Sequence, residues 1–112
     1  MDKVTKYQEI ICKILGEYAS IKKTITPDIK SYLIIDKESH NYQLLAIGWH
    51  NNKYVYTVAF HFTIINEKLW IQQNNTDALI ADELCALGVE KNDIILGFIP
   101  AARRHYTGFG IS

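Results

Sequence analysis

The chain has 112 residues, 48% of them hydrophobic, which is enough to build one core and too short for two domains. Its 12 basic and 12 acidic side chains cancel, which excludes a clamp that holds nucleic acid through a surplus of phosphate-neutralising charge. The Met1-Asp2-Lys3 start leads into a charged amphipathic pattern, and no uncharged apolar run nears the roughly 18 residues of a membrane span, so the expectation is a soluble, cytoplasmic protein without membrane contact.

Val4, Tyr7, Ile11, Ile14, Tyr18 and Ile21 recur at three- and four-residue steps, and Ile10 and Leu15 widen the stripe. That spacing predicts a long amphipathic helix. It must stop before Pro27, and the β-branched run Thr24-Ile25-Thr26 already disfavours helix. From Ile29 to Gln73 the period changes. "KSYLIID", "NYQLLAIGW", "KYVYTVAFHFTII" and "KLWIQQ" are rich in β-branched and aromatic residues and are separated by short polar breaks. Asn51-Asn52 suits a tight hairpin turn and Asn66-Glu67 opens the next reversal, so the four segments predict an antiparallel meander.

Asn75-Thr76-Asp77 offers a cap for a second helix carrying Leu79, Ile80, Leu84 and Leu87, which Gly88 is placed to end. "DIILGFI", closed by Pro100, predicts a buried fifth strand reached through a crossover and therefore paired in parallel. The tail alternates Thr107, Phe109 and Ile111 against Tyr106, Gly108 and Gly110, which suggests a short last strand. Cys12 and Cys85 fall in the two predicted helices without CxxC spacing and read as small buried hydrophobes. The expected architecture is α+β, one domain over residues 1–112, with two helices on one face of a mostly antiparallel sheet of five to six strands.

Strand three sets the faces. Tyr54, Tyr56, Val58, Phe60, Phe62 and Ile64 form the bulkier set and are expected to meet the helices, together with Leu45, Ile47, Trp49, Leu69 and Ile71. The opposite face is then expected to show Tyr42, Leu44, Val55, Thr57, His61, Thr63, Trp70 and Gln72. A contiguous patch of that kind fits a protein partner better than water.

The search for chemistry finds little. His40, His50, His61 and His105 form no HExxH pair and no zinc spacing with a cysteine, and His61 with Gln72 lacks further ligands. There is no GxSxG elbow, P-loop or GxGxxG sequence, "TGFG" precedes no helix, and Asp36-Lys37-Glu38 suits a solvated turn. No metal, cofactor or catalytic residue is expected. Arg103-Arg104-His105-Tyr106 remains, suited either to phosphate or to the rim and anchor of a protein interface.

Three long segments carry a family resemblance: "DKVTKYQEIICKILGEYA", "HNYQLLAIGWHNNKYVYTVAFHFTIINEKLWIQQNNTD" and "IADELCALGVEKNDIILGFIPAARRHYTGFGIS". With Tyr42-Gln43-Leu44 leading to Gly48-Trp49, then Trp70-Ile71-Gln72, Gly88-Val89, Asp93-Ile94-Ile95-Leu96 and the tail from Arg104 to Phe109, the chain resembles the XisI family, the fdxN element excision controlling factors of cyanobacteria. It departs from the family at Glu90, where proline is frequent, and at Gly97 to Ala101, where a His-Pro or Pro-Pro sequence is frequent. The resemblance implies a role in programmed excision of a DNA element, beside a site-specific recombinase and a nuclease-like accessory protein, XisH. It brings no catalytic residues. The expectation is a non-catalytic accessory protein that binds an XisH-like partner through Tyr42, Leu44, Val55, His61, Trp70, Gln72, Arg103, Arg104 and Tyr106, with a homodimer as the other occupant of that face. The alternatives are a DNA-binding factor using Arg103 and Arg104 near Lys53 or Lys68, and a small enzyme. Net neutrality implies that any DNA contact is weak or indirect.

Overall fold

The computed structural model describes residues 2–25 and 27–111, and the side chains of all of these except 22–25. Helix α1 (Lys3–Ile25) forms where the spacing predicts it. Asp2 caps it, its carboxylate accepting from the Thr5 amide at 2.8 Å. The helix runs through Ile25, past the β-branched residues expected to weaken it; Thr26 lies outside the described residues.

The meander follows as β1 (Ile29–Asp36), β2 (Asn41–His50), β3 (Lys53–Ile65) and β4 (Lys68–Asn74), each antiparallel to the one before. Asn51 and Asn52 take φ of 50° and 64°, and Asn66 and Glu67 take 52° and 62°. Positive φ at both central residues makes the tight primed turn whose twist matches the flanking strands. After α2 (Ile80–Ala86), β5 (Ile94–Leu96) pairs in parallel with β4, giving the order β1-β2-β3-β4-β5.

Helix α2 starts later than expected because Asn75-Thr76-Asp77 does not cap it. Asn74 holds those residues in a turn instead, accepting from the Thr76 amide at 3.0 Å and donating to the Ala78 carbonyl at 2.9 Å. Its end is as expected. Gly88, at φ 115°, donates to Cys85 while Val89 donates to Leu84, a left-handed stop that a side chain would strain. Both helices share one core on one face of the sheet, where Tyr7, Ile11 and Leu15 of α1 and Leu84 of α2 meet Phe60 and Phe62.

The expected last strand is absent. Pro100 precedes a 3-10 helix (Ala101–Tyr106), and the chain then folds back over the β5 edge, with the Gly110 amide on the Ile94 carbonyl at 2.8 Å and Phe109 against the core. A side chain at Gly110 would collide with the Asn92 carbonyl and Ile95, so alternation of Thr107, Phe109 and Ile111 reflects packing rather than a ladder.

Two bulges decide which side chains face the helices. On β2 and β3, Leu44 opposes Phe60 but Leu45 opposes Val58, leaving Ala59 as an extra residue. Leu44 and Leu45 are neighbours and point to opposite faces, so Phe60 and Val58 do too, although they are two residues apart. The single alternating set expected along strand three is therefore broken. Phe60, Phe62 and Ile64 face the helices, whereas Tyr54, Tyr56 and Val58 face away, with their partners Trp49, Ile47 and Leu45. The same shift carries Tyr42 and Leu44 into the core, where each is 0% exposed. A second bulge on β4 leaves Gln72 extra, because His61 opposes Gln73 and Phe62 opposes Ile71.

Candidate partner-binding face

The open face of the sheet has three parts. At the turn end of β2 and β3 lies a cluster of exposed aromatic side chains, Trp49 at 64%, Tyr54 at 56% and Tyr56 at 63%, with exposed Tyr32 of β1 opposite Leu45 further along the face. Trp49 and Tyr54 oppose each other across the hairpin with ring centroids 5.2 Å apart. The rings are tilted at 54° to each other, a favourable aromatic contact that helps to order both side chains.

The middle of the face is a hydrogen-bonded polar strip. His61 Nε2 lies 3.0 Å from Asn41 Oδ1, and its Nδ1 lies 3.3 Å from Gln43 Nε2. Those partners suit a neutral ring that donates from Nε2 and accepts at Nδ1. Burial pushes the His61 pKa down, in keeping with that form. Gln72 donates to the Thr63 hydroxyl at 3.1 Å, so the bulge residue is tied to the same strip.

The third part is covered by the tail. Arg104 sets its guanidinium 4.9 Å from the Trp70 ring centroid and donates from Nε to the Ile99 carbonyl at 3.0 Å. Trp70 is thus half-buried under a cation–π contact, beside fully buried Ile95, its partner across the parallel ladder. Arg103, His105 and Tyr106 remain exposed on the 3-10 helix, with the His105 and Tyr106 rings 3.9 Å apart.

The residues expected to form one binding surface are therefore dispersed. Tyr42 and Leu44 are core, and Val55 is half-buried on the helix-facing side opposite Gly48. His61 and Gln72 sit in the polar strip, Trp70 and Arg104 clasp each other, and Arg103 and Tyr106 stand apart in solvent. The cluster of Trp49, Tyr54 and Tyr56 was assigned to the core by simple alternation. No local signal in the sequence marks this, because the direction of these side chains is set by the extra residue at Ala59.

Among the described residues no group of three histidine, cysteine or acidic side chains could hold a metal ion. The strongest polar constellation was not foreseen. Tyr7 donates its hydroxyl to Asp93 at 2.5 Å, and the Lys3 ammonium lies 3.0 Å from the same carboxylate and 3.2 Å from Glu90. Burial works to raise the Asp93 pKa, but the bonds from Tyr7 and Lys3 outweigh it and hold the carboxyl below its ordinary value. Burial, then Asp93, pushes the Tyr7 phenol up to about 12. Tyr7 is 1% exposed, so the constellation fastens α1 to the start of β5, with Lys3 and Glu90 at its solvent side. Tyr18 does the same for α2, donating to Glu83 at 2.7 Å. Cys12 and Cys85 are free thiols, half-buried as small side chains, and burial pushes the Cys85 thiol up.

The sequence model of the XisI protein family matches residues 1–111. The chain belongs to the XisI family. A XisI-like protein from Anabaena variabilis has 38% sequence identity over 97% of this chain and 99% of its own, with a TM-score of 0.89. The structure of the fdxN element excision controlling factor XisI from Anabaena variabilis has 33% identity over 99% of this chain and 100% of its own, with a TM-score of 0.83. No curated protein matches. Both Anabaena proteins share the α+β fold described above over nearly the whole of this chain, and among the described residues no helix is long and apolar enough to cross a membrane.

Proposed function

We propose that this XisI-family protein is a non-catalytic accessory factor in the excision of a DNA element, acting by contact with a second protein of the XisH type. The observation that carries the proposal is the aromatic cluster of Trp49, Tyr54 and Tyr56, more than half exposed on a sheet face that neither helix covers. Tryptophan and tyrosine are the usual energetic anchors of protein interfaces, and a contiguous patch of them is costly to leave wet. The excision role rests on membership of the family and on the role for which the Anabaena relative, the fdxN element excision controlling factor, is named. The absence of catalysis rests on the polar groups themselves: Tyr7 and Asp93 are buried and bonded to each other, and His61 is bonded to its neighbours.

Direct DNA binding is the weaker account. Arg104 is engaged by Trp70 and Ile99, so the basic pair reduces to Arg103 on a chain of zero net charge. Affinity for duplex DNA is expected to be no better than the roughly micromolar non-specific range at physiological salt. The test is titration of an XisH-like protein against wild type and Tyr56→Ala, with duplex DNA as a parallel titrant. The variant is expected to bind the protein about thirtyfold more weakly, about 2 kcal/mol, with its melting temperature little changed. Unchanged protein binding by the variant, or a tight and steeply salt-dependent DNA complex, would sink the proposal.

A further inference from the structure

We propose that two copies of this chain pair through the outer edge of β1, antiparallel about a two-fold axis at Leu33, joining their sheets into one of ten strands. The sheet has two edges, treated differently. β5 is three residues long and the returning tail lies against it, with Gly110 bonded to Ile94. β1 is eight residues long, pairs only with β2 among the strands, and has no bulge in that register. Its centre is apolar and uncovered, with Tyr32 at 44%, Leu33 at 38% and Ile34 at 46% exposed. Natural edges are normally blunted by proline, a bulge or a central charge, and an edge with none of these is a template for another strand. Between Ile29 and Asp36 the charges stand only at the ends, Lys30 and Asp36.

The order of those residues identifies the second strand. With Leu33 opposite its own copy, Tyr32 falls opposite Ile34 of the second copy, Ser31 opposite Ile35, and Lys30 opposite Asp36. Within the strand every like charge is then avoided and each end closes with an ion pair. Aromatic–aliphatic and opposite-charge pairs directly across a ladder are the favourable kinds. Other registers lose this. Counted within the strand, a slide of two residues puts Tyr32 opposite Asp36 or Lys30 opposite Ile34, and a slide of one puts Lys30 opposite Ile35 or Ser31 opposite Asp36, so neither end keeps its ion pair. A strand complementary to itself when reversed is suited to a two-fold contact. Asp36 is fixed at its end of the strand, accepting from the Ser39 hydroxyl at 2.6 Å and from the Glu38 and Ser39 amides, and a carboxylate with three acceptor sites filled keeps one for a cation. The pairing adds about six backbone hydrogen bonds. It also places both open faces on one side, so the two aromatic clusters lie on a continuous platform with both helix layers behind it.

Sedimentation of the purified chain over a wide concentration range tests this. Wild type is expected to move from 12.9 kDa toward twice that mass as concentration rises. Lys30→Glu and Asp36→Lys each set like charges opposite one another at both ends, and each is expected to weaken the dimer about tenfold or more. An equimolar mixture of the two variants restores opposite charges at both ends and is expected to recover the dimer. Leu33→Lys, which puts two lysines together at the axis, is expected to be monomeric and decides the matter if Asp36→Lys fails to fold. A wild type that stays at 12.9 kDa overturns the proposal, as does a dimer that Leu33→Lys leaves intact. Folded charge variants whose mixture stays monomeric would overturn the register. A monomeric wild type whose complex with another protein is lost in Leu33→Lys would mean that the edge takes a foreign strand instead.

Discussion

Replacing Tyr7 by phenylalanine removes one oxygen from the protein and leaves its ring in place, so no cavity term enters. The hydroxyl donates to a carboxylate that is 7% exposed, and it also accepts from the Glu90 amide at 3.4 Å. A hydrogen bond to a charged partner contributes about 1.5–3 kcal/mol, and its loss leaves Asp93 buried with Lys3 alone. A loss of about 2 kcal/mol corresponds, at about 4 °C per kcal/mol for a domain of this size, to a fall in Tm of about 8 °C. The sign of the pH dependence follows from Asp93. Its folded pKa lies below the ordinary value of 3.8, so its stabilisation is present above that value and is lost as pH falls through the folded pKa. The gap between wild type and Tyr7→Phe is therefore expected to be full at pH 7 and to shrink toward zero in strong acid. Paired thermal melts at the two pH values measure it. A variant that melts with wild type at pH 7, or a gap of equal size in acid, would refute the account of Asp93 as a charged acceptor.

Leu44→Ala, at a site that simple alternation places on the surface, is expected to cost about 2–5 kcal/mol because Leu44 is fully buried; a surface-sized change below 0.5 kcal/mol in a denaturant melt would mean the bulge register is wrong. Arg104→Ala is expected to lower stability by about 1–2 kcal/mol and to make Trp70 fluorescence more accessible to a soluble quencher, while Arg103→Ala does neither; equal behaviour of the two variants would remove the clasp.

Much of this protein is legible in its residues because the signals are local. The stripe from Val4 to Ile21 makes α1, two Asn-led turns make the hairpins, and Gly88 ends α2, each through conformations that only a few residue types adopt cheaply. The family resemblance is also in the sequence, and the match of the XisI family model to residues 1–111 bears it out. The candidate site is another matter. Side-chain direction along a strand depends on an unbroken count, and one extra residue at Ala59 reverses every assignment on the turn side of it. Alanine carries no mark of a bulge; it is favoured there by packing against the core, where it is 1% exposed. Tertiary structure alone therefore decided that Tyr42 and Leu44 belong inside and that Trp49, Tyr54 and Tyr56 belong outside. It likewise decided that the tail turns back, because the steric fit of Gly110 against Asn92 and Ile95 is made by residues more than a dozen positions away. Local chemistry sets the elements, whereas register and long-range packing, which no short window contains, set the faces they present.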